Sequence, residues 1–340
     1  MDEARVVTGD LPGRNQTIAK ACVVTGGAGF IGSHLARRLA KDGVRVRVVD
    51  NLASGTLKNL EGVLGPQGLV DFISGDIRDL DCIRSAFLGA QVVFHQAALT
   101  SVPGSVDDPV LTNDVNVAGT LNVLTAAKEC GVKRVVVASS SAVYGNSPAL
   151  PKSEDLIPQP VSPYAISKYA GEMYSTFFSQ LQGIETVCLR YFNVYGPRQN
   201  LDSQYAAVIP VFISLMLSGE TPVIYGDGEQ SRDFVYVDDV VNANLLAASA
   251  EAERVSGQVF NIASGAGISL NRLVDTLNQA LSTQIKPRYE PARIGDVRHS
   301  CASIQKARSL LGYALSVSFE EGLGMTVKWY AERSGVLRGC

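Results

Sequence analysis

Tyr164 and Lys168 lie four residues apart in the stretch SPYAISKYAGEMY, and their types and spacing suit proton transfer. Pro163 fits a helix start, and positions i and i+4 of a helix share one face. A free tyrosine titrates near about 10 and is a poor base at neutral pH, so a neighbouring ammonium is needed to favour its phenolate. Lys168 can supply that charge. Ser140 closes an apolar run and would present its hydroxyl at the carboxyl end of a strand, in the same crevice. A tyrosine and lysine at this spacing also occur by chance as an ordinary surface pair. What sets this pair apart is a second group of residues upstream: Gly26, Gly29 and Gly32, with Gly27 between them, followed by Asp50 at the roughly 20-residue distance of a ribose-binding carboxylate. Hydride transfer at a nicotinamide joins the two groups, with Ser140, Tyr164 and Lys168 handling the proton.

These residues need particular elements to hold them. Ala21 to Asp50, ACVVTGGAGFIGSHLARRLAKDGVRVRVVD, reads as strand, glycine loop, helix and second strand of one nucleotide-binding unit. Glycines let the backbone turn sharply, approach a pyrophosphate and pack the helix tightly on the strand. The helix N-terminus then offers free N–H groups and a positive dipole end to the phosphates. Ile31, Leu35 and Leu39 recur at helical spacing, and Gly43 stops the helix. Asp50 closes the second strand, and no arginine follows it directly, so NAD is favoured over NADP. Further strands are expected at Leu69 to Ile73, Gln91 to Ala98 and Val135 to Ser140, and a helix at Pro109 to Cys130 that is apolar on two faces. This alternation predicts an α/β fold, a Rossmann-type doubly wound parallel sheet with ligands at the carboxyl ends of its strands.

From Tyr195 the alternation breaks down. TPVIYGDGEQSRDFVYV suggests two short strands paired around a Gly-Asp-Gly turn, while Val240 to Ala250 returns as helix and Val259 to Ala263 as buried strand. The expected organisation is an N-terminal extension over 1–19 and an NAD-binding domain over 20–192, rejoined by about 235–263. A smaller mixed α/β lobe would form from 193–234 and 264–335.

The 340 residues carry a net charge of -3 and 46% hydrophobic residues, which gives no basic excess for nucleic acid or anionic lipid. An anionic ligand must therefore meet local arginines. No stretch approaches a membrane span and no signal peptide is visible, so a cytoplasmic location is expected. Cys22, Cys82, Cys130, Cys188, Cys301 and Cys340 are scattered, and His34, His95 and His299 do not cluster, so no metal site and no disulfide framework are expected. His34 is read as a helix-surface residue and His95 as a packed, hydrogen-bonded one; His299 has no assigned role.

The glycine spacing and TGGAGFIGSHL resemble the extended branch of the short-chain dehydrogenase/reductase superfamily. With ASSSAVYGNS, SPYAISKYAGE, LRYFNVYGPRQ and SRDFVYVDD, the chain after Lys20 resembles its nucleotide-sugar epimerases and dehydratases. The resemblance implies that Gly26, Gly29, Phe30, Ile31, Gly32, Asp50, Asn51, Asp76, Ile77, Gln96, Ala97, Ala98 and Asn116, with Tyr164 and Lys168, contact NAD. Asp76 and Ile77 would hold the adenine, with capping of the next helix as the alternative for Asp76. Dehydratases of the family carry an Asp-Glu pair after the catalytic hydroxyl residue, where this chain has Ser141 and Ala142. That points to a C4-epimerase, similar to UDP-galactose and UDP-N-acetylglucosamine 4-epimerases. Asn193, Arg232, Arg293 and Asp296 match positions that hold the UDP group, and Thr100, Ser140, Ser141, Ala207, Val208 and Ser300 match substrate-pocket positions. In the family a large aromatic at the position of Ser300 admits glucose and galactose alone, whereas a small residue admits an N-acetyl group. The resemblance thus implies UDP-GlcNAc and UDP-GalNAc as substrates, with activity on UDP-glucose, while the two-sided apolar helix Pro109 to Cys130 and its neighbour after Pro163 suggest a homodimer through a four-helix bundle. UDP-glucuronate stays open as the alternative, although the sequence offers no extra arginine for a carboxylate. A non-epimerase oxidoreductase and an NAD-sensing binding protein also stay open, separated from an epimerase by net NADH release and by turnover.

Overall fold

The computed structural model describes residues 21–65, 68–200, 207–292 and 298–334. The N-terminal extension, Cys340, Arg293 and Asp296 therefore lie outside the described residues. The first half alternates short β-branched runs with amphipathic helices: β1 (Ala21–Thr25), α1 (Phe30–Lys41), β2 (Arg45–Asp50), β3 (Val70–Ser74), α2 (Leu80–Phe87) and β4 (Val92–His95). After β4 come α3 (Val102–Asp107), α4 (Pro109–Asn113), α5 (Gly119–Glu129), β5 (Arg134–Ser140), α6 (Pro163–Leu181) and β6 (Glu185–Tyr191). Helices α4 and α5 run on through one π-helical turn, Asp114–Ala118, so the expected long helix is present with a bulge in its middle.

The second half holds β7 (Asn193–Tyr195), α7 (Val208–Leu217), β8 (Val223–Tyr225), β9 (Ser231–Tyr236), α8 (Val237–Ser249) and α9 (Ala252–Val255). It ends with β10 (Gln258–Ile262), β11 (Gly267–Ser269), α10 (Leu270–Leu281), β12 (Arg288–Glu290), α11 (Gln305–Leu311) and α12 (Phe319–Ser334).

Seven strands form one parallel sheet in the order β10-β6-β5-β4-β1-β2-β3. Chain order reverses between β1 and β4, which opens a crevice at the carboxyl ends of these two strands. Both faces of the sheet are covered. Leu35 and Leu39 of α1 pack with Val24, Val48 and α8 on one side, while Ile83, Phe87, Val123 and Leu124 pack with Val23, Val93 and Val135 on the other. Alternate residues of β1 thus point to opposite cores, as a strand of period two requires. A third core gathers Ile209, Phe212, Phe234, Leu273 and Leu323 around the smaller sheets.

Those sheets correct one expectation. β8 and β9 flank the Gly-Asp-Gly turn but do not pair with each other: β8 lies parallel to β12, and β9 lies between β7 and β11. The turn is held by the start of α10 instead, where Asn271 N donates to Gly228 O at 3.1 Å and Asn271 Nδ2 donates to Asp227 O at 3.1 Å. Among the described residues no helix is long and apolar enough to cross a membrane, and no group of three or more His, Cys, Asp and Glu could hold a metal.

Candidate active site

A cleft of 1910 Å³ follows the carboxyl edge of the main sheet. Pockets for single drug-sized ligands span about 300–1,000 Å³, so this cleft has the volume of two such sites. Gly26, Gly29, Phe30, Ile31, Gly32, Asp50, Asn51, Asp76, Ile77, Gln96, Ala97 and Ala98 line it, and so do Thr100, Ser140, Ser141, Tyr164, Lys168, Asn193, Ala207, Arg232 and Ser300.

The glycine loop is packed too closely for side chains. Gly26 has φ +69°, and a Cβ there would meet Ala97 N at 2.6 Å; a Cβ on Gly32 would meet Gly26 O at 2.2 Å. No side chain caps α1, so its first N–H groups remain for an anion at the positive end of the helix dipole. Asp50 is held firmly: Ala28 N donates to Oδ2 at 3.0 Å and Leu52 N donates to Oδ1 at 2.8 Å. Each oxygen keeps a further lone pair, enough for two ribose hydroxyls. A close-packed loop, an uncapped helix start and a fixed carboxylate fit the pyrophosphate and ribose of NAD, and the carboxylate opposes the extra phosphate of NADP.

Asp76 lies at the rim. Arg78 donates to both of its oxygens, at 2.8 and 3.0 Å, and Asn51 Nδ2 donates at 3.0 Å. Hydrogen bonds from Arg78 hold its carboxyl well below the usual range. It is not the cap of α2, because Asp79 takes that position, accepting from Asp81 N and Cys82 N at 3.1 Å. Local capping preference favours Asp at either position, and the one that directly precedes the first turn wins.

Ser140 ends β5, and Tyr164 and Lys168 lie on the inner face of α6. Ser162 caps that helix through Ala165 N, while Ser105 Oγ accepts from Tyr164 N at 3.1 Å. Burial raises the Tyr164 phenol, and its hydrogen bond with Ser140 works in the opposite direction. Burial pushes Lys168 down to about 8, and its Nζ donates to Ala138 O at 3.0 Å. That bond fixes the lysine to the strand that carries Ser140. Beside it His95 bridges Thr25 Oγ1 at 2.8 Å and Thr120 Oγ1 at 2.9 Å, a packed histidine whose pKa burial lowers to about 3.

Two other expected residues, Asn116 and Val208, are not part of the cleft wall. Asn116 is buried behind it, exchanging hydrogen bonds with both backbone atoms of Leu99 at 2.8 and 2.9 Å and donating to Ser167 Oγ at 3.0 Å. Its amide braces the loop after β4 against α6. Val208 opens α7 and packs on the third core. Gln96 is locked by Tyr191 and Asn244 at 3.0 Å. His34 is not a surface residue as expected, because its Nε2 lies 2.8 Å from Pro197 O and 3.3 Å from Arg198 Nη1. Lys152, Arg198, Trp329 and Tyr330 line the cleft without having been singled out in the sequence. They come from segments far apart along the chain, and no local spacing marks them.

Residues 22–263 match the NAD dependent epimerase/dehydratase family. The chain is 40% identical over 314 residues to the UDP-glucose 4-epimerase of Mycolicibacterium smegmatis, covering 92% of this chain and 99% of that one. Among solved structures it is similar to a UDP-N-acetylglucosamine 4-epimerase from Methanobrevibacter ruminantium in complex with UDP-N-acetylmuramic acid (TM-score 0.88, 42% identity, 93% of this chain and 100% of that one). It is also similar to a UDP-glucose 4-epimerase from Thermotoga maritima with UDP-glucose (TM-score 0.86, 41% identity, 92% and 99%). Glycine cradle, strand order and sequence agree: this chain belongs to the NAD-dependent epimerase/dehydratase family, with NAD as its cofactor.

Proposed function

We propose that the chain is an isomerase that inverts C4 of a UDP-hexose, interconverting UDP-GlcNAc with UDP-GalNAc and also accepting UDP-glucose and UDP-galactose. The observation that carries this reading is the meeting of Ser140, Tyr164 and Lys168 in one cleft, with Ser141 and Ala142 where a dehydratase would need an acid and a base. Gly26, Gly29, Gly32 and Asp50 would hold NAD, which when bound supplies the acceptor and donor of the C4 hydride. Tyr164 takes the proton of the C4 hydroxyl as the sugar is oxidised, and returns it after the ketone has turned over. Lys168 supplies the positive charge that favours the phenolate, and Ser140 donates a hydrogen bond to the 4-keto oxygen. The keto sugar must present both faces, so the diphosphate is anchored while the hexose swings. Arg232 and Asn193 on β9 and β7 are the anchors we assign among the described residues, on a lobe formed by 193–234 and 264–335.

Proton NMR of the purified protein with UDP-GlcNAc, and separately UDP-glucose, tests the reading through the appearance of C4-epimer signals. Faster formation of UDP-GalNAc is expected. Ser300→Tyr should abolish the N-acetyl reaction and spare the plain sugars. No epimer in either tube rejects the proposal, and an unchanged preference in the variant rejects Ser300 as the size gate.

A further inference from the structure

The backbone of Tyr164 is held by side chains from outside the first turn of α6. Its N–H lies in that turn, where no intrahelical carbonyl is within reach. Ser162 caps the next donor, Ala165 N, at 3.2 Å. The Tyr164 N–H goes instead to another element, donating to Ser105 Oγ of α3 at 3.1 Å. The carbonyl of Tyr164 accepts from Ser167 Oγ at 2.8 Å, and Ser167 Oγ accepts in turn from Asn116 Nδ2 at 3.0 Å. Asn116 also clasps both backbone atoms of Leu99. The segment 99–105 therefore holds Tyr164 at both of its peptide groups, directly through Ser105 and indirectly through Asn116 and Ser167.

Ser105 is built for this contact. It is 2% exposed, and its hydroxyl proton goes to Val102 O at 2.6 Å, which leaves the oxygen to accept from Tyr164 N. Its own backbone is set by Ser101, whose carbonyl accepts from Ser105 N at 3.0 Å and whose Oγ accepts from Gly104 N at 3.0 Å. Thr100, Ser101, Val102, Gly104 and Ser105 line the cleft, so the segment that fixes Tyr164 is also a wall of the site. Without the Ser105 oxygen a buried N–H would lose its acceptor, and the first turn of α6 would relax towards another one, out of its place beside Ser140.

We propose that Ser105 is a positioning residue that sets the Tyr164 hydroxyl against Ser140 and the reacting oxygen of the sugar, acting through the Tyr164 backbone, which rests on the reading of Tyr164 as the proton acceptor in a UDP-hexose site. Ser105→Ala removes the acceptor and Ser105→Thr keeps it. In NMR-detected epimerisation of UDP-GlcNAc by the NAD-loaded enzyme, Ser105→Ala should lose about tenfold or more in kcat with KM near the wild-type value, as for a misplaced reacting group, and Ser105→Thr should recover most of the loss. The phenol reports its place independently of turnover. Its hydrogen bond with Ser140 opposes the rise that burial causes, so a Tyr164 drawn away from Ser140 should titrate higher in Ser105→Ala, by about half a pH unit or more. Phenolate absorbance, taken as the difference against Tyr164→Phe in the same background, reads that titration free of Lys168. Should Ser105→Ala not fold, Ser105→Cys, of similar volume but a weaker acceptor, carries the same comparison with a smaller shift. An unchanged kcat overturns the proposal, as does a fall in kcat with no upward titration shift or a loss confined to KM, which would make Ser105 a contact of the sugar. An upward shift in an enzyme that epimerises no sugar would uphold the placement of Tyr164 by Ser105 and reject the epimerase reading.

Discussion

Burial sets the charge of the groups around Tyr164, and His95 shows it most directly. Thr120 Oγ1 donates to Asn116 O at 2.6 Å, so it accepts from His95, which assigns the proton to Nε2 and makes Nδ1 the acceptor from Thr25. Burial of the imidazolium, and after it the charge of Lys168, lowers the folded pKa from 6.5 to about 3, and a second proton would also break the bond to Thr25. The unfolded chain binds this proton below pH 6.5 and the folded chain does not, so the stabilisation is complete above that value and is lost as the pH falls towards 3. Between about pH 6.5 and about pH 5 this residue alone should cost the fold about 2 kcal/mol. Urea unfolding of wild type and His95→Gln at the two pH values measures it. The variant should lose less stability on acidification than wild type, and equal losses would sink the argument.

At the scale of the element, α6 joins the chemistry to the sheet. Tyr164, Lys168 and Glu172 follow at successive turns on its inner face. Glu172 accepts from Arg190 Nε and Nη2 at 2.8 Å each and from Ser139 Oγ at 2.5 Å, while Arg190 lies over the Tyr144 ring at 4.7 Å. The pair therefore fixes α6 against β6 and against the residue just before Ser140. With side chains 3% and 4% exposed, removing one partner leaves a buried charge uncompensated. Glu172→Gln should destabilise the fold by about 3–5 kcal/mol, and replacing both partners by Met should cost less than the single change. Thermal and urea unfolding check this, and a loss no larger than that from replacing the exposed Glu129 would refute it. The sequence showed Tyr164 and Lys168 because their relation is internal to one helix, as it showed the glycines because they are internal to one turn. It did not show the partnership of Glu172 and Arg190, of Ser105 and Tyr164, or of His34 and Pro197, since each joins separate elements whose docking no spacing records. The false strand pairing at the Gly-Asp-Gly turn has the same cause: the turn residues were legible, but the competing partners β12, β7 and β11 were not.

At the scale of the whole molecule, the described residues leave an apolar stripe uncovered on the face of α6 turned away from Tyr164. Ile166, Met173, Phe177 and Leu181 recur along it at helical spacing, and Val106 and Val110 extend it over α3 and α4, which pack on α6. Ile166 is 54% and Leu181 72% exposed, while the opposite face of the helix is buried in the protein. A helix apolar on both sides needs a partner on each. A second copy brought up by a two-fold axis would lay the same stripe against its own image and close a four-helix bundle of the kind expected from the sequence. Ile166→Glu with Leu181→Glu distinguishes this arrangement from a solvated monomer. In a monomer both changes fall on solvent-facing positions and should move stability by no more than about 0.5 kcal/mol each. In a dimer they bury like charges against each other across the axis, so light scattering at micromolar concentration should show wild type at twice the chain mass and the variant at the chain mass. A wild type that scatters as a monomer would leave the stripe without a partner in a second copy. If the dimer is lost in the variant, the helix that carries Tyr164 and Lys168 keeps its inner contacts and loses its outer ones, and a fall in epimerisation rate with the fold intact would tie assembly to the chemistry.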